Sequence, residues 1–481
     1  MVHTILKKIW HYSGLFEKEE NYDILVELTQ ELIILYDQQG RLLENPFESA
    51  RKRTLSLPVD ELKKELKNKV CLVTGGLGSV GTTLVDDLLK FEVSKVFVLD
   101  IKPFSFQKRL FYADKVEFIH IDIRDEISLA KCLKKIQPEI VFHTAAVRDP
   151  GYAERNILET VQTNIIGTWN LVKACENSIS VKNFVFTSTG KASRYFTQEI
   201  YASTKKICEN ILDAFSRTSK IKYSMVRFTH IYCNSLMNNE LKNSSKSLDY
   251  VKIHSPGKFV TAQNLTEASY LLLNALINAE SKICNFLLVK NLEWPVESLE
   301  LALYYIKNSG RRIPIVFTGN PKGYSEKFFR GQLDWNKPQE LNLLINVYEN
   351  QKREINKAGD ILISSIVPCE KRLLFELIQN LKSSLRPNEQ KENLLSGLEK
   401  IFIDSLKYVN KKDTFNILKW GISPKFLVAE DTTLENYGHI YPILVNSLVG
   451  SEHYEEVQKL LKEAKEIQDL KNENYILKDA S

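Results

Sequence analysis

The sequence predicts an α/β protein: a doubly wound parallel sheet, a smaller mixed region after it, and extra helical segments at both ends. Three observations predict this. Short apolar runs alternate with amphipathic helical patterns between about residues 66 and 230. The runs are apolar throughout rather than at every second position, which marks strands buried on both faces. Beyond residue 230 the alternation fades and helical periodicity takes over.

Residues 1–60 read as a helical N-terminal extension, in which Ile24, Leu25, Leu28, Leu32, Ile33 and Tyr36 recur at helical spacing. Strands are expected at 70–73, 96–99, 116–121, 140–142, 184–186 and 223–226. Helical stripes lie between them, including Val80, Leu84, Val85, Leu88 and Leu89, and Leu158, Val161, Ile165, Trp169 and Val172. This alternation is what a parallel sheet with crossover helices requires. Residues 231–335 read as a mixed α/β substrate-binding region, with helices over 266–280 and 296–308 and a strand at 313–317. Residues 336–481 read as a helical C-terminal region, with one stripe at Leu394, Leu398, Phe402 and Leu406 and another at Val457, Leu460, Leu461, Ala464 and Ile467. The stretch LRPNEQKEN (385–393) reads as a linker. Such amphipathic stripes need a partner surface, on this chain or on a second copy, and a homo-oligomer is expected.

Composition narrows the class. The chain has 481 residues, a formal net charge of +5, 43% hydrophobic and 26% charged residues, all ordinary globular usage. Arg51-Lys52-Arg53 is too narrow for a nucleic-acid face and reads as a solvated linker. No apolar run approaches the roughly 18–20 residues of a membrane helix, and the first residues lack the apolar core of a signal peptide. No membrane or nucleic-acid partner is expected, and the chain reads as cytoplasmic. Seven scattered cysteines, none in a CxxC pair, fit a reducing compartment and argue against a disulfide framework or a bound metal.

Residues 73–81 read VTGGLGSVG, directly after a strand and at the start of a helix. Gly75 permits a tight turn, Gly78 lets backbone approach a pyrophosphate, and Gly81 lets the helix pack on the sheet. Ser79 and Val80 complete a helix N-terminus whose free N–H groups hold anionic phosphates. Asp100 ends the next strand, near the spacing of about 20 residues at which an acid binds the adenosine ribose. Its alternative role is a strand-end cap. A carboxylate there repels a 2′-phosphate, so NAD is favoured over NADP. Residues 66–230 are therefore expected to be an NAD(P)-binding Rossmann domain.

A second constellation lies in TSTGKASRYFTQEIYASTK (187–205). Tyr201 and Lys205 are four apart at the start of a helical stripe, so they share a face. A lysine ammonium beside a phenol favours the phenolate, which can take a proton from an alcohol as hydride leaves its carbon. Thr189, just past a strand end, is placed to hydrogen-bond the same oxygen.

These residues resemble the extended short-chain dehydrogenase/reductases, and among them the polysaccharide-biosynthesis group that holds the nucleotide-sugar 4,6-dehydratases. The matching pieces are LKNKVCLVTGGLGSVG, IDIRD with Asp122 and Ile123, VFHTAA with His143 to Ala146, ETVQTNIIGT with Asn164, FTSTGKA, YASTK and VRFTHIY. The segment 313–319 followed by Glu326-Lys327 resembles that group's phosphate-contacting loop. The resemblance covers roughly residues 55–335. It implies a Rossmann domain plus a substrate domain, cofactor contacts from Asp122, Ile123, Ala145, Ala146, Asn164 and Lys205, and Thr189, Tyr201 and Lys205 for a hydride step. Lys191 matches the group's lysine base. His143 reads as a packed strand-end residue rather than a base.

The chain departs from that group on the substrate side. Gly190 stands where the dehydratases have an acidic aspartate. Val147-Arg148-Asp149-Pro150 replaces a lysine-histidine pair, His230 replaces an asparagine, and Lys322 is the basic residue nearest a missing arginine. Arg148, His230 and Lys322 are the candidate substrate contacts. Arg148 and Asp149 read equally as a local ion pair. The expected function is NAD-dependent modification of a nucleotide sugar or related polyol through transient oxidation, with an epimerase or dehydratase-like outcome. Alternatives are a dehydrogenase/reductase acting on a non-sugar substrate and an NAD-binding scaffold without chemistry.

Overall fold

The apolar runs pair into one nine-stranded sheet. Its strands are β1 (Val70–Thr74), β2 (Lys95–Asp100), β3 (Val116–His120), β4 (Ile140–His143), β5 (Asn183–Thr189), β6 (Lys222–Phe228), β7 (Asn285–Val289), β8 (Glu354–Ile355) and β9 (Ile361–Ser365). The order across the sheet is β8-β9-β7-β6-β5-β4-β1-β2-β3. The structure is a computed structural model that describes residues 1–16, 19–103, 114–234, 236–324 and 326–479.

Strand β1 runs parallel to β2 and β4, β2 parallel to β3, β4 parallel to β5, and β6 parallel to β7. The direction of chain travel across the sheet reverses at β1, which opens a crevice at the carboxyl ends of β1 and β4. All seven residues of β5 and all four of β4 are buried. That two-sided burial is why their sequences show no alternation. The expected Rossmann arrangement is the one observed.

The sheet belongs to a unit made of Leu57–Arg227, Leu271–Lys290 and Gly323–Ser481. Two features of its C-terminal part differ from expectation. Strand β9 pairs antiparallel with both β7 and β8 and adds a hairpin to the sheet edge, in a stretch expected to be helical. A run as short as ILISS carries no periodicity that separates strand from buried helix. The expected linker at 385–393 is instead the start of a helix, Pro387–Ser405. Pro387 stands in its first turn, where a missing N–H is harmless. Leu394, Leu398 and Phe402 of the expected stripe are buried. In the last stripe Val457, Leu461 and Ala464 are buried, and the side chain of Ile467 lies outside the described residues.

A second unit comprises Met1–Ser56, Phe228–Tyr270 and Asn291–Lys322. Its core joins Ile5, Ile9, Leu25, Leu32, Tyr36 and Phe47 to Val251, Ile253, Leu303, Ile306 and Phe317. The N-terminal helices Val2–Ser13 and Glu19–Gln38 are thus one wall of this smaller unit. The reading of 51–53 as a solvated linker is corrected at Arg53. That side chain is 12% exposed and pairs with the fully buried Glu267 at 2.6 Å. It also donates to the carbonyls of Leu292 and Ala262. Arg51 and Lys52 do remain exposed, paired with Glu48.

Candidate functional site

The glycine turn follows β1 and leads into the helix Ser79–Leu88. Gly75 has φ +70°, and a Cβ there would lie 2.6 Å from the Ala145 backbone nitrogen. A Cβ on Gly81 would lie 2.5 Å from the Gly75 carbonyl oxygen. Gly78 is different: a Cβ would meet only that same oxygen, at 3.2 Å, so packing does not demand its glycine. Ser79, Val80 and Gly81 form the first helical turn.

Asp100 ends β2 beside this turn. Its two oxygens accept from the backbone N–H of Leu77 and of Lys102, each at 3.0 Å, so it does cap the strand end and ties the glycine turn to β2. Asp122 is paired with Arg124. Ile123 is buried, with its side chain filling the space that Gly167 leaves. Asn164 sits on a π-helical turn, Gln162–Ile166, a distortion found often at functional sites. Its amide accepts from Val147 N–H at 2.8 Å and donates to Val147 O and to Thr204 Oγ1, both at 3.0 Å. Asn164 thereby clips the segment after β4, with Ala145 and Ala146, to the helix that carries Tyr201.

That helix is Ile200–Ser216, and Tyr201 and Lys205 stand one turn apart on it. Thr189, the last residue of β5, hydrogen-bonds the Tyr201 phenol. Burial raises Tyr201 above its ordinary pKa, opposed by the Thr189 hydrogen bond and by the charge of Arg148. Lys205 is the cation that sequence expects to favour the phenolate; Arg148 is the charge that acts on it in this structure. Burial also pushes Lys205 down to about 8, and its Nζ donates to the Thr187 carbonyl at 2.9 Å. His143 is fully buried between Thr74 Oγ1 at 2.7 Å and Thr168 Oγ1 at 2.9 Å. Burial lowers it to about 3, so it is neutral at physiological pH.

Lys191 lies in the turn after β5. Its Nζ donates to Glu199 Oε2 at 2.6 Å and to the Gly323 carbonyl at 3.2 Å, and stands 5.1 Å from the centre of the Tyr324 ring. Burial lowers its pKa while the Glu199 charge raises it. Arg194 bridges Glu199 at 3.1 Å and Glu326 at 3.3 Å. Sequence reasoning does not single out Glu199, Arg194 or Tyr324 as site residues, and it names Glu326 only as a marker of the phosphate-contacting loop. Glu199 and Arg194 lie inside the very stretch that carries Lys191 and Tyr201. Tyr324 and Glu326 lie in NPKGYSEK, where the family resemblance directs attention to an arginine instead. Burial pushes the Tyr324 phenol up to about 12, reinforced by the charges of Asp149 and Glu199.

Gly190 has a packing cause. A Cβ there would lie 2.7 Å from Leu344 Cγ. Leu344 belongs to a C-terminal strap held by the buried Arg227, which donates to the Leu344 carbonyl at 3.0 Å and ion-pairs with Glu209 and Glu349, each at 2.7 Å.

Of the candidate substrate contacts, Arg148 lies in the sheet-bearing unit and acts on Tyr201, while Asp149 caps the helix Pro150–Arg155 by accepting from Tyr152 N–H at 3.0 Å. His230 and Lys322 belong to the other unit. There the His230 ring stacks on Phe47 with centroids 6.1 Å apart, and Lys322 is exposed. Among the described residues, no group of three or more His, Cys, Asp or Glu could hold a metal ion, and no helix is long and apolar enough to cross a membrane.

A mostly parallel sheet carries a glycine turn at its switch point after β1 and brings Thr189 and Tyr201 together at the end of β5, the arrangement that the resemblance to extended short-chain dehydrogenase/reductases implies. The family model described as polysaccharide biosynthesis protein matches residues 71–329, more than half of the chain, and the chain belongs to that family. It is similar to the capsular polysaccharide biosynthesis protein CapD of Staphylococcus aureus, with 26% identity over 324 residues, 60% of this chain and 53% of the relative. It is also similar to a UDP-N-acetylglucosamine 4,6-dehydratase (inverting) of Campylobacter jejuni, with 28% identity over 171 residues, 34% of this chain and 49% of the relative. The chain thus spans about half the length of the curated relatives it matches. Among solved structures, Pen from Bacillus thuringiensis shares the fold, with a TM-score of 0.53 and 21% identity over 64% of this chain and 90% of that one.

Proposed function

We propose that this protein is an NAD-dependent enzyme that modifies a nucleotide-linked sugar by transient oxidation of one hydroxyl and proton transfer at the neighbouring carbon. The observation that carries the reading is the assembly of Thr189, Tyr201 and Lys205 with Lys191 at the end of β5. The named activity of the Campylobacter relative supports the substrate class.

The residues fit a dinucleotide. Gly75 and Gly81 close a turn against backbone too near for a Cβ, and the helix N-terminus that follows suits a pyrophosphate. Gly78, bare of a side chain beside the Gly75 carbonyl, suits a close approach of the phosphates to backbone. Asp100 retains lone pairs for ribose hydroxyls beside its two backbone contacts. A bound nicotinamide would accept a hydride and return it. Tyr201 takes the proton of the substrate hydroxyl, helped by Thr189 and by the positive charge of Arg148. Lys191, as the amine, takes the proton from the carbon beside the new carbonyl. With Gly190 in place of an acid, loss of water lacks its donor beside Lys191, and an epimerase outcome is favoured, in which the carbon is reprotonated on the face opposite Lys191 before hydride returns.

Mass spectrometry of the small molecules released on denaturing the freshly purified protein tests this. Release of NAD, with Tyr201→Phe retaining NAD but losing sugar turnover by about 100-fold or more, is the expected result. If no dinucleotide is released and none binds on titration, the reading fails.

A further inference from the structure

We infer that Glu199 is the positioning residue for Lys191: its carboxylate aims the lysine and holds the proton it gains, at a site where position 190 has no room for an acid. The inference deepens the proposed function and rests on Lys191 being its base.

The space at position 190 is closed from outside the motif. Leu344 fills it, and three further contacts hold the strap there. Leu344 N–H donates to Asn342 Oδ1 at 3.0 Å, Ser193 Oγ donates to the Leu343 carbonyl at 3.0 Å, and Asn346 donates to the Ser193 carbonyl at 2.9 Å. An aspartate at 190 would have to expel Leu344, so a carboxylate can reach Lys191 only from elsewhere.

Glu199 is where one does. It stands at the N-cap of the Ile200–Ser216 helix, yet its side chain makes no capping bond there. The carboxylate instead turns to Lys191 Nζ at 2.6 Å and Arg194 Nη1 at 3.1 Å, with the side chain 6% exposed. Buried so far, the pair is weakly screened by salt. The Lys191 side chain keeps 27% exposure, so it is gripped on one side and accessible on the other.

The charges facing Lys191 can be named. Arg194 opposes its protonation, while Glu199 and, with less effect, Glu326 favour it. Glu326 is itself engaged by Arg194 at 3.3 Å, Thr197 Oγ1 at 2.7 Å and His439 at 3.8 Å. The Gly323 carbonyl and the Tyr324 ring complete the surroundings. Glu199 is therefore the carboxylate in direct contact with Lys191. When Lys191 takes a proton from carbon, the ammonium that forms is met by a partner already in place.

The test needs no substrate. The full chain is labelled with acetic anhydride across a pH series, and acetylation of Lys191 is read by peptide mass spectrometry. Loss of an opposite charge this close lowers a lysine pKa by about one unit or more. In Glu199→Gln, Lys191 should therefore be acetylated about tenfold faster at a fixed pH below its pKa. Glu199→Asp keeps the charge but shortens the reach and should move the titration the same way by less. It also decides the matter should the Gln variant fail to fold. An unchanged Lys191 titration in the folded variants overturns the inference without touching the proposed activity. Absence of NAD binding, conversely, would sink the activity and leave this titration as it is. Where turnover is measurable, Glu199→Gln should move the acidic limb of the rate profile to lower pH, a shift that a merely structural loss does not produce.

Discussion

Gly75 and Gly190 each follow directly on a strand of the same sheet, and neither can carry a side chain, but different things occupy the space. At Gly75 the obstacle is local backbone: φ is +70° and the Ala145 nitrogen would lie 2.6 Å from a Cβ. At Gly190 the obstacle is Leu344, a side chain that arrives from far along the chain. Gly75 belongs to a motif with a fixed spacing and a clear physical purpose. Gly190, by sequence alone, has the character of a lost catalytic acid. In the structure it is a position given over to the C-terminal strap, with Glu199 supplying a carboxylate nearby. A side chain missing at one position can thus reflect packing from a distant segment of the chain.

Four changes break or sharpen this contrast. The largest effect is expected for Arg227→Met. It leaves Glu209 and Glu349, 0% and 2% exposed, as buried carboxylates without their cation. Removing one partner from such a network costs about 3–5 kcal/mol, read as a lower unfolding free energy in urea. The strap behind Gly190 should loosen while the glycine turn survives, so a folded variant should still bind NAD. Gly75→Ala should cost about 3 kcal/mol through positive-φ strain and backbone overlap. It should also abolish NAD binding in a titration. Gly190→Ala should cost roughly 1–3 kcal/mol, and most of that should return on adding Leu344→Ala. Purely additive losses in the double variant would show that Leu344 is not what fills the space.

The smallest effect concerns His143, next to Thr144 and Ala145 on the glycine side. Its pKa is lowered to about 3 in the fold by burial. The unfolded chain therefore binds a proton below about pH 6.5 that the folded chain refuses. Stability is fully present above that pH and declines on acidification, by about 1.4 kcal/mol per pH unit down to the folded value. Denaturant unfolding at pH 7 and pH 5 should show a loss on the order of 2 kcal/mol that His143→Gln removes. An equal loss in that variant would mean that other groups carry the acid sensitivity.

Much of the sheet is legible in the sequence because its cause is local. The strands β1 to β6 fall within a few residues of expectation, since continuous apolar runs between amphipathic helices have few other solutions. The glycine turn, Asp100 at a strand end and the placing of Tyr201 and Lys205 one turn apart on a helix are legible for the same reason: each depends on neighbours within a turn or a strand. Lys191 is legible only through resemblance. Its partner Glu199, eight residues on, gives no signal of its own, because a lone glutamate before a helix ordinarily reads as a favourable charge at the helix N-terminus. Tyr324 and Glu326 are unreadable as members of the same cluster, because nothing in their spacing joins them to Arg194.

The sequence by itself determined the alternating α/β sheet, the glycine turn and the identity of the residues at the end of β5. These follow from periodicity and from steric rules acting over a few residues. Only the tertiary structure decided that the N-terminal helices build the wall of the smaller unit, that 361–365 joins the sheet, and that Leu344 occupies the space at Gly190. Such contacts join residues far apart in the chain, and their energy lies in burial and close packing between surfaces that no local pattern names.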